Sequence, residues 1–300
     1  MELRIEENFD VSRLTSFKTG GKIRKVYFPE CEADFISITK SEPDFKVFGN
    51  LSNTLVSFDG YDGVIVITTA MNKFSIDGTS VVAECGLKGP KLSQAVAKEG
   101  LSGLEFMVAF PGTIGGECFM NAGAHGQSIK DVLVSVNCWS KEKGLFKLSK
   151  DEMEFSYRTS VCQKEYFVIL SAEFELTKAS VAEIEARMKE NLDFRHAKQP
   201  SLALPNCGSV FRNPEGNSAG RLLEQAGAKS LAVGGVRVWE NHANFIINDR
   251  AGNSLDILEI MYKMYSCVKE KFGIELKPEV RYLGGNNEKE VELCKKLKML

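Results

Sequence analysis

The sequence predicts an α+β protein in two parts, and three observations carry that reading. Runs rich in β-branched and aromatic residues, bounded by Gly, Asp and Asn, dominate the first half. Near residue 180 the texture changes to longer helical periods alternating with short strand-like runs. The length of 300 residues suits one large domain or two to three of roughly 100–200 residues each.

The elements follow in order. IRKVYF (23–28), FKVFG (45–49), GVIVIT (63–68), TSVVAEC (79–85) and DVLVSVNCW (131–139) read as strands. Between them ADFISITKS (33–41) and PKLSQAVAKEG (90–100) read as helices, the second stopping on Gly100. YFVILSAEFELT (166–177) predicts a long strand closing the first half. SVAEIEARMKENLDFRHAK (180–198) opens on a capping box, Ser180 with Glu183 three residues on. Its apolar residues Val181, Ile184, Met188 and Leu192 keep helical spacing. QPSLALPNCGS (199–209) is a proline-punctuated loop. A helix over 218–228, the strand ANFIIN (243–248), a long helix over 254–272 and the strand ELKPEVRYL (275–283) complete the second part. The tail NNEKEVELCKKLKML predicts a short surface helix whose role is solvation.

Composition narrows the function. With a net charge of -2 the chain has no global field for gathering nucleic acid or an acidic membrane surface. Any anion must therefore be held by local groups. The cysteines (Cys31, Cys85, Cys118, Cys138, Cys162, Cys207, Cys267 and Cys294) include no CxxC pair, which excludes a redox motif or zinc knuckle of that type. Several lie in strand-like runs, where cysteine serves as a small buried hydrophobe. His125, His196 and His242 match no HExxH spacing, so no metal is expected. The acidic opening MELRIEENFD has no apolar core, and the apolar runs are too short to span a bilayer. A reduced, cytoplasmic protein without nucleic-acid or membrane partners is expected.

The stretch PGTIGGECFMNAGAHG (111–126) is rich in glycine and lacks lysine and arginine. It fits neither a GxGxxG fingerprint, because its order is G-x-x-G-G, nor a GxxxxGK[ST] loop. The physical content survives those failures. Glycines let backbone N–H groups converge on an anion and remove the Cβ atoms that would block a phosphate. A second small-residue loop, FGNLSNTLVSFDG (48–60), carries Gly49, Asn50, Ser52 and Asn53. Two such loops can clasp a pyrophosphate, or both can be tight turns.

Order adds specificity. GNLSNTLVSFDGYDG, GLEFMVAFPGTIGGECFMNAGAHG, FSYRTS, NCGSVFRNP, ANFIIN and LKPEVRYLG succeed one another along nearly the whole chain. Together they closely resemble the UDP-N-acetylenolpyruvoylglucosamine reductase family, FAD-dependent enzymes of bacterial peptidoglycan precursor synthesis. The resemblance implies an FAD-binding domain of the vanillyl-alcohol-oxidase and p-cresol-methylhydroxylase type over residues 1–180. Its small N-terminal α+β part would cover 1–60 and its antiparallel-sheet part 61–180. A C-terminal α+β substrate-binding domain over 181–284 and a tail over 285–300 would follow.

The same resemblance implies residue roles. Gly49, Asn50, Ser52, Asn53, Gly112, Thr113, Gly115 and Gly116 would hold the FAD pyrophosphate, with Asn121, Ala122 and Gly123 beside the flavin. Arg158, Ser209 and Glu279 match the family's catalytic positions. Read singly, each has a plainer alternative: a strand-end charge, a turn hydroxyl, a cross-strand partner of a cation. Arg195, Lys198, Arg212 and Arg221 would face the substrate diphosphate, and Asn213 the enolpyruvyl carboxylate. The implied reaction takes a hydride from NADPH through bound FAD to UDP-N-acetylglucosamine enolpyruvate, in a monomer. The alternatives are a non-catalytic flavin- or UDP-sugar-binding relative and another oxidoreductase of the same flavin fold.

Two departures from the family pattern stand out. Its first flavin loop reads G-x-G-S-N, whereas Leu51 occupies the second glycine position here. Leucine does not readily take φ > 0, so the loop must either be permissive at Leu51 or be reshaped, with FAD affinity at stake. The chain also lacks the insertions of the longer subclass, including its substrate-capping tyrosine loop, so the shorter subclass is expected.

Overall fold

The computed structural model describes residues 3–201 and 203–300; Met1 and Glu2 of the acidic N-terminus and Leu202 of the 199–209 loop lie outside them. The chain divides into two compact units. One comprises the stretch up to Ile5, Val26–Asn50 and Val64–Arg195; the other comprises Glu6–Lys25, Leu51–Gly63 and His196–Leu300.

The first unit is built on a five-stranded antiparallel sheet. Its strands run in the order Gly144–Ser149, Leu133–Ser140, Val168–Glu175, Ser80–Glu84, Phe74–Asp77. Side chains alternate across it as the period of two demands: Val81 and Ala83 are buried while Val82 between them is exposed. The buried face shares one core with Leu92 and Val96 of the helix Gly89–Lys98, Phe106, and Ile114 and Cys118 of the helix Ile114–Phe119. A second core gathers Phe35 and Ile38 of the helix Glu32–Ser41 with Val64, Val66, Cys85 and Leu170. Each such large side chain stabilises the fold by about 1.5–3 kcal/mol when fully buried. The expected sheet-rich first part is therefore present. Ser180 accepts from the Glu183 N–H at 3.3 Å at the start of the helix Val181–Lys198, one half of the capping box its sequence anticipates.

The second unit centres on the helix Ser254–Phe272, which matches its expected range. Asn253 and Asp256 form a reciprocal capping box, and Gly273 ends the helix at φ 69°. Ile257, Leu258, Met261, Met264, Tyr265 and Val268 form its apolar stripe. They pack with a three-stranded sheet, Ala232–Val233, Val236–Val238 and Ile246–Ile247, and with Leu55 of Thr54–Val56, which pairs in parallel with Arg281–Leu283.

Four expectations are corrected here. Of the segment 243–248 only Ile246–Ile247 is strand, because Asn244 turns its side chain into the pairing group. The Asn244 amide accepts from Phe211 N–H at 2.9 Å and donates to the Phe211 carbonyl at 2.8 Å. Of 275–283 only Arg281–Leu283 is strand; Pro278, which has no N–H, makes an isolated bridge with Phe211. The helix expected over 218–228 spans Ala219–Gln225, with Ser218 as cap and Gly227 in the left-handed region at φ 81°. The tail does form a helix, Glu288–Lys296, but it is no mere solvated coat: Glu290 and Cys294 are fully buried.

All eight cysteines are free, and only Cys31 and Cys267 are more than marginally accessible. Among the described residues, no three His, Cys, Asp or Glu side chains gather as a metal site. No helix there is long and apolar enough to cross a membrane.

Candidate functional site

The two glycine-bearing loops meet at Gly49 and Thr113 in the first unit. A Cβ at Gly49 would run into the Thr113 hydroxyl, so only glycine admits this approach. Asn50 Nδ2 donates to the Pro111 carbonyl, which ties the same two loops together. The N–H groups of Ile114 and Gly115 are committed to the carbonyls of Leu87 (2.9 Å) and Cys85 (2.8 Å). The Thr113 hydroxyl is buried and has no hydrogen-bond partner among the described residues. A buried hydroxyl left unpaired costs about 1–3 kcal/mol, so it marks a place that a ligand atom can fill. That orphaned hydroxyl fits a ligand oxygen such as that of a phosphate group.

Next along the chain, Asn121 is buried at φ 43°. Its side chain accepts from Lys130 N–H at 3.1 Å and donates to the Ser156 carbonyl at 3.0 Å. Ala122 accepts from Ile129 N–H, and a Cβ at Gly123 would press on Gln127 and Ser128. The small residues of 121–123 are thus held against the 127–130 segment as a thin wall.

Arg158 sits on a tight turn in which Ser156 and Thr159 exchange backbone hydrogen bonds at 3.1 and 3.2 Å. The turn places Arg158 at φ 55°, a conformation that a non-glycine residue keeps only under constraint. The constraint is visible: Gln163 Nε2 donates to the Arg158 carbonyl at 3.1 Å and to Phe119 at 2.8 Å, and Asn121 holds Ser156. The guanidinium donates to the Gly123 carbonyl at 3.0 Å and lies 5.2 Å from the Tyr157 ring centroid. Arg158 is therefore brought to the 121–123 wall.

In the second unit the structure brings Ser209 and Glu279 onto adjoining segments. Glu279 N–H donates to the Val210 carbonyl at 2.8 Å, and Arg212 N–H to Lys277 at 2.9 Å. The charge of Glu279 also reaches Cys207, whose thiol is pushed up by burial first and by that carboxylate second. Asn53 joins the same cluster: its Nδ2 donates to the Glu279 carbonyl at 2.9 Å and its own carbonyl accepts from Arg281 N–H at 3.0 Å. Ser52 is half-buried in the turn closed by Thr54 N–H to the Leu51 carbonyl at 3.4 Å. Leu51 takes the left-handed conformation outright, at φ 57°, with its side chain buried. The loop is permissive there rather than reshaped.

The basic residues are scattered in character. Arg195 is part-buried, and desolvation pulls its pKa down. Lys198 and Arg221 are exposed; Arg221 donates to Asn217 Oδ1 at 2.7 Å. Arg212 Nε is buried without a partner among the described residues, and Asn213 Oδ1 accepts from Ala219 N–H at 3.0 Å.

Two residues near these groups escaped the sequence reading. Asn244 locks the 209–212 segment through Phe211; an asparagine inside the apolar run ANFIIN was its only signal. Glu117 lies buried beneath the 111–116 loop, against Gly89 and Gly112, with neither carboxylate oxygen paired among the described residues. Burial pushes its carboxyl up to about 8.

Comparison with known proteins follows the same division of labour. The pattern of the UDP-N-acetylenolpyruvoylglucosamine reductase C-terminal domain matches residues 199–283, and that of an FAD binding domain matches residues 24–148. A protein of Latilactobacillus sakei subsp. sakei (strain 23K) named UDP-N-acetylenolpyruvoylglucosamine reductase is 37% identical over 95% of each chain. Its namesake from Caldicellulosiruptor bescii is 40% identical over 91% of this chain and 89% of its own. The crystal structure of UDP-N-acetylenolpyruvylglucosamine reductase from Thermus caldophilus superposes with a TM-score of 0.81 at 27% identity, covering 94% of this chain and 99% of that one.

Proposed function

The chain belongs to the UDP-N-acetylenolpyruvoylglucosamine reductase family, and on that ground we propose that it reduces UDP-N-acetylglucosamine enolpyruvate to UDP-N-acetylmuramate, with FAD bound and NADPH as co-substrate. The observation that carries this is the extent of the match, which spans nearly the whole of both chains. The reaction belongs to peptidoglycan precursor synthesis.

FAD would be held by Gly49, Asn50, Ser52, Asn53, Gly112, Thr113, Gly115 and Gly116 around its pyrophosphate, with Asn121, Ala122 and Gly123 beside its ring. The unpaired Thr113 hydroxyl supports this placement. When bound, FAD supplies hydride transfer, accepting from NADPH and giving to C3 of the enolpyruvyl group.

The chain's own groups would handle charge and proton. As C3 gains a hydride, negative charge builds on C2 and the adjoining carboxylate, and donors fixed in advance stabilise it most. Arg158 would meet that carboxylate with a planar, permanently charged fork; its constrained turn supports a fixed orientation. Ser209 would deliver the proton to C2. Glu279, on the segment adjoining Ser209, would orient the carboxylate side and assist the proton. Arg195, Lys198, Arg212 and Arg221 would face the diphosphate, and Asn213 the enolpyruvyl carboxylate; the unpaired Arg212 Nε and the desolvated Arg195 support a ligand-facing role.

We assign flavin binding to residues 1–180, substrate binding to 181–284 and a tail to 285–300, in a protein that works as a monomer in the cytoplasm. Light scattering at the mass of one chain checks the monomer. The activity is tested spectroscopically. The purified protein should show a flavin spectrum, bleach anaerobically with NADPH and recover on addition of the enolpyruvyl UDP-sugar. Bleaching without recovery would instead identify another oxidoreductase of the same flavin fold, and a flavin spectrum that NADPH leaves unbleached a non-catalytic binding relative.

A further inference from the structure

The C-terminal helix Glu288–Lys296 lies beyond the matched C-terminal domain, which ends at residue 283. The carboxylate of its buried Glu290 is held by two hydroxyl donors rather than by an ion pair among the described residues. Glu290 accepts from the Ser254 hydroxyl on one oxygen and from the Tyr282 hydroxyl on the other, the latter at 2.7 Å. Ser254 opens the long helix Ser254–Phe272, whose N-terminal end favours a negative neighbour. A carboxylate in the core must be satisfied or it costs several kcal/mol, and here the satisfaction comes from two separate elements.

Each donor leads back toward the proposed site within the same unit. Ser254 Oγ also accepts from Phe58 N–H at 2.7 Å, and Asn287, the cap of the C-terminal helix, donates from Nδ2 to Asp59 at 2.9 Å. Phe58 and Asp59 follow the strand Thr54–Val56, which begins one residue after Asn53. Tyr282 lies in the strand Arg281–Leu283, paired in parallel with Thr54–Val56 and starting two residues after Glu279. Ser57 N–H donates to Leu283 at 2.8 Å, so the two strands stay in register past the end of the pair. Asn53 then closes the ladder onto the Glu279 carbonyl at 2.9 Å.

We propose that Glu290 is a positioning residue for the site: through Tyr282 it fixes the strand that follows Glu279, and through Ser254 and Phe58 the loop that follows Asn53. It touches neither substrate nor cofactor. The helix itself is anchored independently, because Cys294 and Leu297 pack into the same core as Leu258, Met261 and Tyr265. Removing the carboxylate therefore frees the ladder without undocking the helix. The proposal rests on the assignment of Glu279 to the second half-reaction.

The test measures both half-reactions of the FAD-loaded protein by stopped-flow absorbance. In Glu290→Ala, bleaching by NADPH should stay within about twofold, whereas recovery with the enolpyruvyl UDP-sugar should slow on the order of 10–10²-fold, the scale of a small misplacement of reacting groups. Glu290→Gln should restore recovery, because its amide accepts from one hydroxyl and donates to the oxygen of the other. Tyr282→Phe removes a single donor and should slow recovery in the same sense; it decides the matter if Glu290→Ala does not fold. In a Glu279→Gln background, Glu290→Ala should add no further slowing. A Glu290→Ala protein that melts earlier but recovers at the parent rate would overturn the positioning role while leaving Glu279 in place. Parent-like recovery in Glu279→Gln alone would overturn the assignment of Glu279, and this proposal with it.

Discussion

The Arg158 guanidinium donates to the Gly123 carbonyl at 3.0 Å, so the proposed carboxylate-binding residue is already fastened to the wall expected beside the flavin. Arg158→Lys keeps the charge and loses the planar fork. It should slow substrate-driven recovery of the flavin spectrum on the order of 10²-fold, the scale of one lost oxyanion donor. Flavin content, read as the ratio of visible to protein absorbance, should stay at the parent value. Loss of flavin with parent-like recovery per bound flavin would place Arg158 on the cofactor alone.

Ser209→Ala should leave bleaching by NADPH fast and slow recovery with substrate by about 10²–10⁴-fold, the usual reach of general acid catalysis. The two phases separate in an anaerobic stopped-flow trace. Equal slowing of both would sink Ser209 as the proton donor.

Glu117 supplies a pH dependence of stability. Burial raises its carboxyl to about 8 from an ordinary 4.5. The unfolded chain sheds this proton at the lower value, so between those pH values the native state binds more protons than the unfolded one. Stability from this group therefore falls as pH rises through the window, by about 1.4 kcal/mol per unit, and levels off above the native value. Cys85 and Cys118 are the titratable neighbours on the adjoining segments, and burial pushes both thiols up, out of this range. Urea melts across the window should show a shallower slope for Glu117→Gln and a more stable variant at its alkaline end. An unchanged slope would mean that Glu117 is ionised in the native protein.

At Leu51 two effects oppose each other. Glycine would relieve a left-handed conformation worth about 1–2 kcal/mol but forfeit a buried leucine worth about 1.5–3 kcal/mol and add about 1 kcal/mol of chain entropy. Leu51→Gly should therefore lose about 1–2 kcal/mol in a denaturant titration. A net gain would show the strain to outweigh the packing.

How much of this was legible from residue order differs by element. The helix Ser254–Phe272 could be read at both ends because its caps, Asn253 with Asp256 and Gly273, are local signals. The central strands were visible in their β-branched runs, though each boundary moved by a residue or two. The segments 243–248 and 275–283 misled because both turn to the same distant residue: Asn244 pairs with Phe211, 33 residues away, and Pro278 makes an isolated bridge to it, which no local pattern encodes. The 111–126 glycines announced close approaches but not their partners, which are Cys85 against Gly115 and the Gln127–Ser128 segment against Gly123. Ser209 and Glu279 carried no individual signal; only the ordered motifs around them did. Glu290 looked like one more charge on a solvated tail because its donors, Ser254 and Tyr282, lie 36 and 8 residues off.

The interleaving of the two units has a consequence for synthesis. The first unit is complete once Arg195 has left the ribosome, whereas the second needs everything up to the C-terminal helix. Its early segments, Glu6–Lys25 and Leu51–Gly63, emerge long before the long helix and the strand Arg281–Leu283 that receive them. Phe17 and Leu55, both fully buried in the finished core, must therefore wait in the nascent chain as exposed apolar groups. The second unit therefore matures only after the long helix and the strand Arg281–Leu283 have been made, and a stop between Arg195 and that helix leaves the two early segments without the core they join.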